Sequence, residues 1–198
     1  ALEFLEKAAA LSPDDSGIGL NLANTLLALG RPTSALSILQ KCPHSAAVAN
    51  AMGIANYVQR DWQLASTFFR QATDLSPDFA GAHENLALAL LHEGKFEEGW
   101  QEYNWRWKNA ANSLTPRLLT MPRWNGDPIG DQCLLLHAEQ GFGDTLQFLR
   151  FGTLIPRSRK RVILAVQAEL VSLLERVPWA DEVVSLDESM PPADVEAP

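Results

Sequence analysis

Cysteine is nearly absent from this sequence: Cys42 and Cys133 are the two in 198 residues, too few and too far apart for a disulfide framework or a cysteine-built metal site. Their contexts, a helix end and a buried strand, suit a reducing compartment, so a cytoplasmic chain is expected. Long apolar runs are lacking too. None approaches the ~18 residues of a membrane-spanning helix, and no charged and apolar leader opens the chain. Positive charge is scarce: 16 Lys and Arg stand against 24 Asp and Glu, for a net charge of -8. Phosphate backbones require a basic surface, so nucleic acid is excluded as a partner. The one basic cluster, Arg157, Arg159, Lys160 and Arg161, reads as a solvated turn.

What the sequence does have is self-similarity. "LSPDD" at 11–15 returns as "LSPDF" at 75–79, and "LALGR" at 28–32 returns as "LHEGK" at 91–95. Small residues recur in phase, each followed four positions later by a larger one: Ala1 and Leu5, Ala35 and Leu39, Ala65 and Phe69, Gly99 and Tyr103. Ala23, Gly53 and Ala87 form a second phased set, preceded by Leu22, Met52 and Leu86 as core residues. Small side chains at such positions let paired helices approach closely. With a period near ~34 residues, residues 1–108 resemble a tetratricopeptide repeat array of about three units plus a partial leading helix. Two departures follow from the spacing. "ALSILQKCP" reaches Pro43 early, which shortens the second helix of its unit, and Ala1–Pro13 supplies the second helix of a unit alone, so the chain is expected to be a fragment.

A helical solenoid presents its leading helices on a concave face where an extended peptide can lie. Asn21 and Asn85 share one phase of their units, while the middle unit has Ala51 there and Asn50 one position off. A primary amide offers two donors and a two-lone-pair acceptor, enough to hold a peptide backbone. The arrangement resembles a short version of the asparagine ladder in the repeats of O-linked N-acetylglucosamine transferases. Solvated polar positions on a helix surface are the alternative.

The last repeat helix runs into "EEGWQEYNWRWKNA", where Trp100, Tyr103 and Trp107 share a face at i, i+3 and i+7 and are expected to bury a large apolar area as a cap. Residues 109–131, with Pro116, Pro122, Gly126, Pro128 and Gly130 and the turn signal "NGDP", read as an ordered connector. Beyond it the period changes. "CLLLHA" (133–138), "RVILAV" (161–166) and "EVVSL" (182–186) read as strands, with helices in "DTLQFLRFGTL" and "AELVSLLERV" between them. That alternation predicts a parallel, partial Rossmann-like βαβαβ unit over 132–198 and an α + α/β chain overall. A fourth strand begins at Asp194 and Val195. Right-handed crossovers put both helices on one face, leaving the other face and the edge of the first strand to the connector, the aromatic segment or a second copy; a homodimer through that sheet edge is expected.

Ligands of such sheets bind at the carboxyl ends of the strands, where "HAEQGFGDT" falls. A dinucleotide fingerprint is not met, because Leu146 stands where the third glycine is needed, and Asp144 puts negative charge where a phosphate would sit. No cofactor and no metal are indicated. Gly141 and Gly143 permit close approach of backbone to a sugar, and Asp144 can act as a general base toward a hydroxyl. Helix capping explains Asp144 equally well, and a buried, satisfied histidine explains His137. With "WNG" upstream, residues 120–198 resemble the glycosyltransferase-like domain that follows repeats in many bacterial proteins, similar to the heptosyltransferases of the two-Rossmann-domain GT-B class. The resemblance implies that Gly143 and Asp144 match a Gly-Asp pair whose aspartate is the base. Glu139 and Gln140 are candidates to hydrogen-bond an acceptor sugar, and His137 and Gly141 join them as candidate substrate-binding residues. The resemblance also implies a nucleotide-sugar half that these residues lack, leaving this piece inactive alone. The rival expectation is a non-catalytic scaffold that binds peptide through Asn21, Asn50 and Asn85.

Overall fold

Helix starts and stops in the first half follow from a few polar side chains. The computed structural model describes residues 2–109, 121–127, 132–155, 161–187 and 192–197, and the chain divides into two compact units, Ala1–Ser113 and Leu114–Pro198. Unit one holds α1 (Leu2–Leu11), α2 (Ser16–Ala28), α3 (Pro32–Leu39), α4 (Ala46–Val58), α5 (Trp62–Leu75), α6 (Ala80–His92) and α7 (Phe96–Tyr103), then a 3-10 turn over Asn104–Trp107. The Asp15, Ser45 and Asp61 side chains accept from the first free amides of α2, α4 and α5, and Pro32 opens α3 where no amide donor is needed. α3 has 8 residues where α5 has 14, the shortening that the early proline predicts.

Each helix packs on the next, and α4 also touches α2 and α6. The phased small residues sit at these crossings: Ala23, Ala35, Ala65 and Ala87 are fully buried, and Gly53 lies against the Phe69 ring so closely that a methyl group would collide with it. The larger predicted residues fill the core beside them, with Leu39, Phe69 and Leu86 at or below 2% exposure. α1 buries no residue completely; Leu2 and Leu5 pack inward while Phe4 is 75% and Leu11 is 85% exposed.

All three helical pairs turn in the same way. Gly30, Arg60 and Gly94 adopt φ of 69°, 64° and 78°. After them Arg31, Asp61 and Lys95 donate backbone N–H bonds to Leu26, Asn56 and Leu90, the paired closure of a left-handed helix end. Two units place glycine there, as "LALGR" and "LHEGK" suggest; the middle one forces an arginine into the conformation.

The far end of the array closes with aromatics, though not in the predicted phase. The helix tightens to 3-10 geometry at Asn104, which has three residues per turn rather than 3.6 and breaks the i, i+7 relation of Trp100 to Trp107. Trp100 is accordingly 51% exposed. Trp105 instead stacks on His83 at 4.0 Å, and the buried Arg106 guanidinium lies 4.4 and 4.5 Å from the Tyr103 and Trp107 ring centres.

Unit two contains β1 (Leu134–His137), α8 (Phe142–Phe148), a 3-10 segment over Leu149–Leu154, β2 (Val162–Val166), α9 (Ala168–Leu174), β3 (Glu182–Ser185) and β4 (Val195–Ala197). The strands are parallel in the order β3-β2-β1-β4. The edge of β1, expected to be open, is therefore covered by β4, and Asp194 fixes the junction by accepting from Cys133 N at 2.6 Å and donating to Cys133 O at 3.0 Å. A homodimer through the edge of β1 loses its basis. The sheet face away from the helices is covered as well: Leu135, Ile163 and Ala165 are fully buried, with connector residue Met121 and Ala193 packed against them. On the helix side Trp179 fills the space that Gly152 leaves beside it.

In the connector, Asn125 Oδ1 accepts from Asp127 N and Trp124 Nε1 donates to Asp127 O, forming the turn that "NGDP" signals, with Gly126 at φ 94°. Pro116, Pro128 and Gly130 lie outside the described residues, as do Arg157, Arg159 and Lys160 of the basic cluster; Arg161 pairs with Glu182.

Two outcomes are expected. Arg60→Gly removes a side chain from a left-handed position and stabilises unit one by roughly 1 kcal/mol, read as a higher midpoint in thermal unfolding; an unchanged or lower midpoint contradicts the strain. The second concerns Glu93, whose side chain is 6% exposed and bonds Lys95 at 2.7 Å. Burial alone would raise its carboxyl, but the hydrogen bond and charge of Lys95 and the charge of Arg70 outweigh that and hold it below the ordinary glutamate value. A depressed carboxyl contributes stability above its unfolded value and loses it as pH falls through the folded one. Glu93→Gln should therefore narrow the gap in unfolding midpoint between neutral pH and about pH 4, and an undiminished gap would remove Glu93 from the account.

Candidate functional site

The leading helix α4 touches both α2 and α6, whereas α3, α5 and α7 make no comparable contacts with each other, so the array curves with its leading helices inside. On that inner face Asn85 Nδ2 donates to Asn50 Oδ1 at 3.0 Å, across two units. Ala51, which holds the ladder phase in the middle unit, is buried at 2% exposure, so its neighbour Asn50 takes up the polar position. Asn50 keeps both amide N–H groups, and Asn85 keeps its carbonyl and one N–H, to offer to a ligand. Asn21 is exposed on α2 and is not joined to this pair. Where α4 and α6 end, Trp62 at the start of α5 stacks on His92 at 4.3 Å with Tyr57 edge-on to both, and burial pushes the Tyr57 phenol up. His83 faces acceptors with both ring nitrogens, Glu102 Oε2 at 2.5 Å and Pro77 O at 2.9 Å, so it belongs to the closure of the array.

The second place is the turn from β1 into α8. His137 is the last residue of β1 and half-buried; Glu139 is half-buried and Gln140 exposed in the turn. Gly141 is the N-cap of α8, and Asp144 stands inside the first turn with its carboxylate exposed. Asp144 therefore does not cap the helix. Around Gly143 there is open space on the side where a side chain would be. β1 lies between β2 and β4, so the chain direction across the sheet reverses beside this turn, the place where open parallel sheets form a crevice.

Sequence reasoning missed the residue that holds the turn. Gln167, just past β2, donates through Nε2 to Gln140 O at 2.7 Å, and its Oε1 lies 3.1 Å from Thr145 Oγ1. One carboxamide thus ties both ends of the 140–145 segment. A glutamine ending an apolar strand in the same sheet was the available signal, legible once β1 and β2 are known to pair with His137 opposite Ala165. Among the described residues no group of three or more His, Cys, Asp or Glu could hold a metal ion, and no helix is long and apolar enough to cross a membrane.

Comparison with known proteins bears on the helical half most directly. The family profile described as tetratricopeptide repeat matches residues 1–52. Protein FlbA of Caulobacter vibrioides is 25% identical over 223 residues, covering 89% of this chain and 37% of FlbA, so the chain spans little more than a third of the length of that curated relative. Among solved structures, MamA is 23% identical with a TM-score of 0.48, covering 52% of this chain and 63% of MamA. PilW, described as a widely conserved type IV pilus biogenesis factor, is 21% identical with a TM-score of 0.48 over 52% of this chain and 51% of its own. The matched profile and the phased small residues agree: the helical unit is tetratricopeptide-repeat-like, with residues 1–52 matched to the repeat profile.

Replacing Gln167 with leucine removes both ties while leaving β2 intact. Amide exchange at Thr145, whose N–H bonds Gly141 O in the turn that Gln167 ties, should accelerate roughly ten- to thirtyfold, the equivalent of one or two neutral hydrogen bonds, with β2 amides unaffected. Unaltered exchange in the turn would show that the segment is held by other means.

Proposed function

We propose that this chain binds an extended polypeptide segment along the inner face of α2, α4 and α6. The observation that carries the reading is the Asn50–Asn85 pair, two carboxamides from adjacent units joined on the surface that the repeats turn inward. Joining them fixes their orientation before a ligand arrives, which lowers the ordering cost of binding. Their remaining donors and acceptor suit backbone C=O and N–H groups, and Asn21 extends the polar line onto α2. Asn50→Ala and Asn85→Ala should each weaken a peptide obtained by display selection by roughly five- to tenfold, as loss of one hydrogen bond predicts, in calorimetric titration at unchanged unfolding midpoint. Undiminished affinity in both would refute the role of the pair.

A second reading concerns the α/β unit, favoured by an exposed, non-capping Asp144 at the reversal point of the sheet. In it the whole protein transfers a sugar from a nucleotide donor to a hydroxyl, with Asp144 taking the proton and the repeats presenting the acceptor. Turnover of nucleotide sugar by the full-length product should then fall at least about a hundredfold on Asp144→Ala. Normal turnover would leave the binding module as the function.

A further inference from the structure

The three leading helices are thirteen residues each, and the chain as a whole is 20% charged. Yet α2 and α4 contain no Asp, Glu, Lys or Arg, and α6 contains Glu84 alone. Glu84 in turn accepts from Asn109 at 2.7 Å. The charges of this unit stand elsewhere: on α1, on the trailing helices α5 and α7, and in the turns, as with Asp14, Asp15, Arg31, Lys41, Arg60, Asp61, Asp78, Glu93 and Lys95. The remaining titratable groups on the leading helices are also engaged, His83 with Glu102 and Pro77, His92 stacked on Trp62, and Tyr57 beside both rings.

Burial does not explain the absence. Asn21, Asn24, Ala47, Val58 and His92 are all exposed on these helices, and exposed helix positions are where charged residues ordinarily collect. A surface of carboxamides, alanines and half-buried Leu20, Ile54 and Leu88 can pair with peptide groups and cover apolar side chains. It has almost nothing to offer a charged one. A lysine or glutamate laid on it would lose hydration without gaining a counter-ion, a penalty that rejects charged sequences as effectively as any contact selects neutral ones.

We infer that the partner segment is an extended polypeptide stretch free of Asp, Glu, Lys and Arg, held by backbone hydrogen bonds and apolar contact rather than by ion pairs. This rests on the peptide-binding reading above and names the chemistry of its ligand. The test is selection of a random-peptide display library on the full chain, with the Asn50→Ala/Asn85→Ala double variant as counter-selection, followed by titration of the best synthetic peptide. Enriched sequences should be depleted in charged residues at least about twofold, and affinity should stay within about twofold between ~0.05 and ~0.5 M salt, a range over which exposed charge pairs are screened. Enrichment of charged sequences that still depend on the asparagine pair, or a roughly tenfold loss of affinity with salt, overturns the inference and leaves the peptide-binding reading standing. No enrichment over the double variant overturns both.

Discussion

Close approach of paired helices is the constraint on which the repeat unit depends. Where Gly53 meets the Phe69 ring and Gly99 meets Leu91, a single added carbon has no room, and at the equivalent crossings alanines are sealed completely. Interiors packed to crystal-like density tolerate little change in volume, so these contacts fix the distance between helices and with it the curvature of the array. Curvature decides which face turns inward. It brings α4 against both α2 and α6 and so places Asn50 within hydrogen-bond reach of Asn85, thirty-five positions along the chain.

The same logic runs through the α/β unit with a different backbone. β2 is buried at every position because strands lie on both of its sides and covered faces above and below. Its apolar run therefore ends abruptly at Gln167, where the chain leaves the sheet and polar groups are needed. That glutamine restrains the turn bearing Gly141, Gly143 and Asp144.

Much of this was legible from residue spacing. Phased Ala and Gly gave the repeat helices and their core, the early Pro43 gave the short α3, and the alternation of apolar runs gave the parallel strands. Three features were not. The 3-10 tightening at Asn104 depends on Trp105 finding His83 and Arg106 finding two rings, contacts that helical periodicity does not encode. β4 is three residues long, and its pairing with β1 rests on the Asp194 bridge rather than on an apolar run. The Asn50–Asn85 bond joins residues of different phase, so spacing places Asn50 one position off the ladder of Asn21 and Asn85 without showing that it is the one bonded to Asn85.

The common closure of the three helical turns bears on how the array comes apart. Each pair ends in hydrogen bonds made within a few residues, and each helix touches little beyond its neighbours. Contacts so local in sequence favour rapid formation and allow stability to be held in segments rather than all at once. α1 seals no side chain, while α6 and α7 are tied by stacked rings and a guanidinium held between two rings. Where contacts are this local, loss of one helix need not open the next, so the asparagine pair between the second and third units can persist while a less densely packed helix comes away.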